Sequence, residues 1–508
     1  MRKWIIAALF VFIITIISLG LPEPTAAPAS MLPTPEALAA ASPMPTSTPT
    51  PAATPTPEIW TFPKGTIIAG KDVGGLTPEH AIRRVESAIA PFLLPLRVVA
   101  GEETTILYPE ELGIRLSAAD IVAQAQDAIK RSAADRPYHF PIQLSLDRET
   151  IADVVVRLAA EVRRPPLLTI DPQHQTFVIT PGVELDIDAS IERLIGRLQS
   201  PDANRRVTLP TRIVEDTLPP SEEQILTALQ PLIESFDGVI GIYASDLKGN
   251  RLFSYNANTI FSGASTMKIA ILLQSYLSLE RFTRQQITWM EEMIVNSDNK
   301  LSNNLLVAIG KAEHGSANPL LGLRAMHETL RRLGLTHTYM LAPYESVGSS
   351  IDPDSLDIPE NKGEPPYTKP DPYLQTTPAE MARLVLQIGQ CANGHGLLLE
   401  YYSQMTAERC EEILALMERA GDRSKIVAGV PEGVRVAHKS GWIDDTRADV
   451  GIVGSGDEAL IFAIWIWSDE YDEYIPESIS DPLIASIART LYSAFHPTMI
   501  AGTEGNGP

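Results

Sequence analysis

Phe261-Ser262-Gly263-Ala264-Ser265-Thr266-Met267-Lys268 opens an apolar stretch that runs on to about Leu279. Its spacing predicts a helix that begins near Ser265 and buries an apolar face. Ser265 and Lys268 are three residues apart and are therefore neighbours on one face of that helix. A serine hydroxyl is a weak nucleophile until a base takes its proton, and a lysine serves as that base where burial or a nearby cation lowers its pKa. The spacing suits this chemistry, but ordinary residue usage yields about two such pairs by chance in a chain of this length.

Two further signals follow it in order. Ser297-Asp298-Asn299 comes after a helical segment, Glu291 to Val295. Ser297 can pass a proton toward a leaving group, and Asn299 can donate to a substrate amide while orienting Lys268. On its own this triplet reads as a polar turn or helix cap. Asn303 and Asn304, on the following helix, read as structural hydrogen-bonders. The third signal, Lys439-Ser440-Gly441, lies in Val434 to Ile443, an imperfect period-two pattern predicting an edge strand beside a cleft. Lys439 supplies positive potential for a substrate carboxylate, Ser440 a hydrogen bond, and Gly441 room for close backbone approach. His438 should face away from Lys439 as a packing residue. Arg447, beyond the Asp444-Asp445-Thr446 turn, either reinforces carboxylate binding or makes a solvent salt bridge.

Around these signals, Ser221 caps a helix to about Glu234, and Gly238 to Tyr243 and Arg251 to Tyr255 form a hairpin about Lys248-Gly249-Asn250. Val450 to Val453 and Leu460 to Trp467 add strands, and Pro482 to Leu491 a closing helix. Two strands, a helical block, three strands and a helix predict an antiparallel sheet covered by terminal helices beside a mostly helical subdomain. The fold class is α+β and multidomain, since 508 residues exceed one ordinary core.

The formal net charge of −22, with no concentrated Lys/Arg stripe, argues against nucleic acid as a partner. Arg2 and Lys3 precede an uncharged, largely apolar run from Trp4 to Leu21, so residues 1–21 are expected as a signal-anchor transmembrane helix. That anchor places the rest of the chain outside the cytoplasm; secretion after cleavage near Ala26, Ala27 and Ala29 is the rival. Residues 22–58 are nearly all Pro, Ala, Thr and Ser and read as a disordered stalk. Residues 496–508 read as a flexible tail. The two cysteines, Cys391 and Cys410, form either a disulfide or two free thiols. Neither has metal-ligand spacing, and no cofactor is expected.

Residues 62–215 read as a mixed α/β module with strand, turn and helix occurring twice: Thr66 to Ala69 before the helix of His80 to Ile89, then Leu168 to Asp171 and Phe177 to Thr180 before Asp186 to Leu198. Gly70-Lys71-Asp72-Val73-Gly74-Gly75-Leu76-Thr77-Pro78-Glu79, with Tyr108-Pro109-Glu110-Glu111-Leu112-Gly113-Ile114, resembles the peptidoglycan-binding domain that occurs beside VanW-like and transpeptidase modules. The resemblance implies binding or spacing at the cell wall rather than catalysis.

Ser-x-x-Lys, Ser-Asp-Asn and Lys-Ser-Gly in this order are similar to the signature of class A β-lactamases and penicillin-binding proteins, and residues 217–495 resemble that serine hydrolase family throughout. Thr376-Thr377-Pro378-Ala379-Glu380-Met381-Ala382 resembles its threonine-rich cap and helix. The resemblance implies a β-lactamase/transpeptidase-like fold with Ser265 as nucleophile, Lys268 as base and Ser297 as proton shuttle. It further implies that Asn299 contacts the substrate amide, that Lys439 and Ser440 hold the carboxylate, and that the Ser265 and Trp442 N–H groups form the oxyanion hole. Two departures stand out. The first two motifs are closely spaced, and the family's Glu-x-x-Leu-Asn is absent; Glu345, in Tyr344-Glu345-Ser346-Val347-Gly348, lies near its place. The expected function is an extracytoplasmic serine hydrolase acting through an acyl-enzyme on β-lactam amides. The alternatives are a D-alanyl-D-alanine peptidase or transpeptidase of peptidoglycan, and a penicillin-sensing or wall-binding protein that does not turn over.

Overall fold

Ser221 accepts a hydrogen bond from Gln224 N and returns its own N–H to the Gln224 side chain, a reciprocal cap that starts helix α1 (Glu222–Glu234). Strands β1 (Val239–Asp246) and β2 (Arg251–Tyr255) follow as the expected hairpin. The chain then leaves the sheet for a helical block: α2 (Lys268–Ser278), α3 (Arg284–Val295), α4 (Asn299–His314), α5 (Pro319–Arg332), α6 (Pro378–Ala392) and α7 (Ala407–Glu418). It returns as β3 (Val436–Ile443), β4 (Thr446–Val453), β5 (Leu460–Trp467) and the closing helix α8 (Glu477–Phe495). The sheet is antiparallel in the order β2-β1-β5-β4-β3, with β3 at one edge. This computed structural model describes residues 59–499 apart from 133–136, 201–204, 217, 347 and 356–363. The anchor expected over 1–21 and the stalk over 22–58 lie outside them; among the described residues no helix is long and apolar enough to cross a membrane.

β5 reads Leu-Ile-Phe-Ala-Ile-Trp-Ile-Trp and is buried at every position. The cause is cover on both faces: Ile464 and Ile466 pack with Ile484 and Ile487 of α8 and Leu229 of α1, while Ala463 and Trp465 pack with Met381 and Val385 of α6. The helical block has its own axis in α2, whose residues Lys268 to Leu277 are all buried. Helices α4 and α5 meet backbone to backbone, because a Cβ built at Gly322 would stand 2.1 Å from Leu306 O and one at Gly310 2.3 Å from Asn318 O. Cys391 and Cys410 form a disulfide with a Cα–Cα distance of 5.8 Å. Cys391 sits within α6 and Cys410 within α7, so the bridge joins two helices.

The N-terminal part departs from two tandem halves. Strand Arg206–Leu209 runs parallel to Leu96–Ala100, which also pairs antiparallel with Glu103–Leu107, so the end of this part completes a sheet begun near its start. Helices Ala118–Arg131 and Arg148–Val162 are additions to the sequence reading. The expected strand pair exists as Leu167–Asp171 against Thr176–Thr180, and it packs on the C-terminal helix. Phe177 is buried among the residues of α8, its N–H donates to Ser493 Oγ at 2.9 Å, and Thr490 Oγ1 donates to Gln175 O at 2.8 Å. Thr498–Met499, expected as tail, forms a parallel ladder with Val178–Ile179, whose backbone offers an open edge.

The α4–α5 contact yields a paired expectation for thermal unfolding. Gly322→Ala inserts a methyl against backbone and costs about 1–3 kcal/mol. Gly196→Ala, in helix Ile187–Leu198 with nothing within 4 Å, leaves the melting temperature unchanged or raises it.

Candidate active site

Ala264 takes a left-handed φ of +44° and opens a single 3-10 turn, Ala264–Met267, from which α2 continues at Lys268. The α-helix therefore begins one turn later than the apolar spacing suggested. That turn presents Ser265 at the N-terminal end of α2, where the helix dipole favours developing negative charge. Lys268 is wholly buried, and its Nζ lies 2.7 Å from Ser265 Oγ, 2.6 Å from Asn299 Oδ1 and 3.2 Å from Ser297 Oγ. The Asn299 oxygen can only accept, so one amine hydrogen points to it; an unprotonated amine then has a lone pair for the Ser265 proton. Burial above all, and secondarily the charge of Lys439, lowers the Lys268 pKa to about 7, against the opposing pull of Asp298 and Glu345.

Asp298 caps α4 by accepting from Leu301 N at 2.7 Å, and so fixes the start of the helix that carries Asn299. Ser297, just before it, holds φ at +58°. The four motif side chains at this end thus come from two helix starts, which meet because α2 and α4 pack together. Asn299 Nδ2 donates to Glu345 Oε1 at 2.7 Å, so Glu345, an exposed residue at φ +55°, reaches the same cluster.

The residue before it was not among the sequence candidates. Tyr344 lays its ring 4.4 Å from Lys268 Nζ, centroid to atom, and its hydroxyl donates to Ala264 O at 3.0 Å. Asn303 holds Tyr344 at both backbone groups, accepting from Tyr344 N at 3.0 Å and donating to Tyr344 O at 2.9 Å. Burial pushes the Tyr344 phenol well above its ordinary pKa, so it stays a neutral donor. The only sequence signal for this clamp is an asparagine one turn along the helix from Asn299.

The edge strand supplies the other side. A Cβ on Gly441 would fall 2.9 Å from Ser265 N and 3.0 Å from Thr266 N, so only glycine lets β3 come this close to the nucleophile turn. Lys439 is buried, donates to Ser440 O at 2.9 Å, and has its pKa lowered to about 8 by burial. His438 Nδ1 lies 2.8 Å from Asp449 Oδ1, both fully buried, and Asp449 Oδ2 accepts from Ile426 N at 3.1 Å. His438 therefore braces the strand from beneath. Trp442 is 63% exposed, with the Arg447 guanidinium 5.4 Å from its ring. Arg447 is buried and donates to the carbonyls of Ile443, Thr446 and Ile475, so its hydrogen bonds go to backbone rather than to a solvent salt bridge. The sequence reading also passed over Asp422 and Lys425. Lys425 Nζ, buried, lies 2.7 Å from Asp422 and 3.1 Å from Asp481, and Ser424 Oγ donates to Asp422 Oδ1 at 2.7 Å. An Asp and a Lys three residues apart were the available signal.

Chemically, the arrangement is a serine beside a buried amine able to take its proton, flanked by a second hydroxyl and a second lysine. The sequence model of the Beta-lactamase2 family, described as the beta-lactamase enzyme family, matches residues 224–304 and 283–495. The beta-lactamase of Bacillus licheniformis is 26% identical over 275 residues, covering 52% of this chain and 82% of that protein. Among solved structures, a beta-lactamase from Desulfarculus baarsii DSM 2075 is 19% identical with a TM-score of 0.40, covering 54% of this chain and 97% of its own. The structure of PBP-A is 20% identical with a TM-score of 0.38, covering 55% and 99% respectively.

A neutral phosphonylating reagent that needs no Lys439 contact isolates the role of Lys268. Its rate of reaction with Ser265 should fall about tenfold per pH unit below a midpoint near 7, where Lys268 becomes protonated, and should level off above it. A rate independent of pH between 5 and 9 would remove Lys268 as the base.

Proposed function

This chain belongs to the beta-lactamase enzyme family, and from that premise we propose that it is an extracytoplasmic serine hydrolase acting through an acyl-enzyme on β-lactam-type amides. The observation that carries the proposal is the 2.7 Å contact between Ser265 Oγ and a fully buried Lys268 whose pKa is lowered to about 7. In the first half-reaction Ser265 Oγ attacks the amide carbonyl carbon while its proton passes to Lys268 Nζ. The carbonyl oxygen takes up negative charge and is held by the N–H groups of Ser265 and Trp442. The C–N bond then breaks, and the nitrogen leaves with a proton delivered from Lys268 by way of Ser297, whose Oγ is 3.2 Å from Nζ.

In the second half-reaction water attacks the Ser265 ester, a proton returns to Ser265 Oγ, and the acid product is released. We assign the activation of that water to Glu345, because its carboxylate is tied to Asn299, the residue that also binds Lys268. Lys439 supplies the positive potential at the far end of the cleft. The extracytoplasmic placement is supported by the basic-then-apolar start of the chain and by the Cys391–Cys410 disulfide, a bond that persists in oxidising compartments. A second reading, peptidase or penicillin-binding action at the wall, is favoured by the exposure of Glu345, which leaves the water-activating group less enclosed than the acylating pair. The N-terminal module, in this proposal, binds peptidoglycan and keeps the enzyme at the wall.

Intact-mass kinetics with a penicillin separate these readings. Ser265→Ala abolishes the covalent adduct. Glu345→Gln leaves adduct formation nearly intact but slows its clearance by about 10²-fold or more, the usual worth of a positioned general base. A wild-type adduct that never clears would instead establish the penicillin-binding reading.

A further inference from the structure

The peptide between Ala264 and Ser265 carries two groups on which this site depends. Its N–H belongs to Ser265 and, in the reading above, donates to the oxyanion; its carbonyl is Ala264 O. A peptide unit is planar and trans, so the two groups point in opposite directions and neither turns without the other. Ser265 lies in the opening 3-10 turn, where an N–H has no carbonyl of its own helix to bond. The plane can be fixed from its far side, at Ala264 O, and Tyr344 does so: its hydroxyl donates there at 3.0 Å. A donor on the carbonyl also polarises the amide and strengthens its N–H as a donor. The tie is needed locally, because Ala264 holds a left-handed φ of +44°, a conformation that an L side chain disfavours.

The same side chain meets the base. Oxygens of Ser265, Ser297 and Asn299 surround Lys268 Nζ, and the Tyr344 ring covers a further side with its centroid at 4.4 Å. A ring face attracts an ammonium weakly, whereas a water in its place would hydrate the charge far better. Charged neighbours do not replace that water: Asp298, ahead of α4, and Glu345, beside the ring in sequence, favour the charge without offsetting burial, and Lys439 of β3 opposes it. Tyr344 stays a neutral phenol and adds no charge of its own. Asn303 lets one residue make both contacts, since it grips Tyr344 N at 3.0 Å and Tyr344 O at 2.9 Å.

We propose that Tyr344 is a positioning residue for both halves of the acylating machinery: its hydroxyl fixes the peptide that presents the Ser265 N–H to the oxyanion, and its ring keeps water from Lys268 Nζ. The inference rests on the proposed acylation of Ser265 and adds to it the residue that couples the nucleophile turn to the base. Tyr344 exchanges no proton and acts through Ala264 and Lys268.

The test reads two parameters of Ser265 phosphonylation by the neutral reagent, followed by intact mass on the full-length chain: the pH midpoint, set by Lys268, and the rate on the plateau above it. Tyr344→Phe keeps the ring and removes the hydroxyl. Its midpoint stays at the wild-type value while its plateau falls about three- to tenfold, the net worth of one hydrogen bond. Tyr344→Ala removes both, and its midpoint also rises by about one pH unit or more as water reaches the amine. Recovery of the midpoint by Phe separates the ring from a general loosening of the loop. A folded Tyr344→Ala with the wild-type midpoint, or a Tyr344→Phe with the wild-type plateau, overturns the inference while leaving the acyl-enzyme intact. Melting temperatures establish folding; if Tyr344→Ala does not fold, the Tyr344→Phe plateau decides. Absence of wild-type Ser265 labelling by this reagent and by a penicillin alike sinks the acyl-enzyme reading, and this inference with it.

Discussion

A primary amine with no solvent contact is the constraint from which the catalytic half of this protein is built. Desolvation opposes the charged form of Lys268, so the chain must supply either a counter-ion in direct contact or acceptors for a largely neutral amine. It supplies acceptors: one hydroxyl from the turn before α2, one from the segment before α4, and the amide oxygen of Asn299. The carboxylates of Asp298 and Glu345 act from farther away and moderate the pKa without restoring it to the solution value. A tyrosine ring closes the remaining side. These groups arrive on three pieces of chain, the turn at Ser265, the start of α4 and the Tyr344-Glu345 loop, so the pKa of one lysine depends on the packing of the helical block as a whole.

Holding them there strains the backbone locally. Ala264, Ser297 and Glu345 all adopt left-handed φ without being glycine, at a cost of about 1 kcal/mol or more each. They stand respectively beside the nucleophile, at the shuttle hydroxyl and at the carboxylate bound to Asn299. Rigid surroundings offset this strain: the Gly322–Leu306 approach between α4 and α5, the Asn303 clamp on Tyr344, and the disulfide between α6 and α7. The same logic governs β3, whose approach to the Ser265 turn requires Gly441 and whose underside is fixed by His438 and Asp449.

Legibility in the sequence followed the range of each interaction. The sheet was readable because β5 is an unbroken apolar run bounded by turns, and β1 and β2 flank a short polar loop. The pairing of Ser265 with Lys268 was readable because both sit on one helical turn. Tyr344 was not, because its role comes from a contact with a residue more than seventy positions away, and nothing in Tyr344-Glu345-Ser346 states it. Asp422 and Lys425 were likewise silent: their local spacing resembles any solvent-facing ion pair until packing buries Lys425 and brings Asp481 to it. In the N-terminal part the halves appeared tandem because periodicity reports local elements, whereas the parallel pairing of Arg206–Leu209 with Leu96–Ala100 spans more than a hundred residues.

The sequence by itself determined the order of the motifs, the helix starts at Ser221, Asp298 and Thr377, the apolar axis of α2 and the doubly covered strand β5. These depend on capping chemistry and periodicity over a few residues. Only the tertiary structure decided that Glu345 reaches Asn299, that Arg447 is tied to backbone carbonyls, that Cys391 meets Cys410, and that Lys425 meets Asp481. Those are contacts between segments far apart in the chain, and their existence depends on how helices and strands pack rather than on what any short stretch of residues prefers.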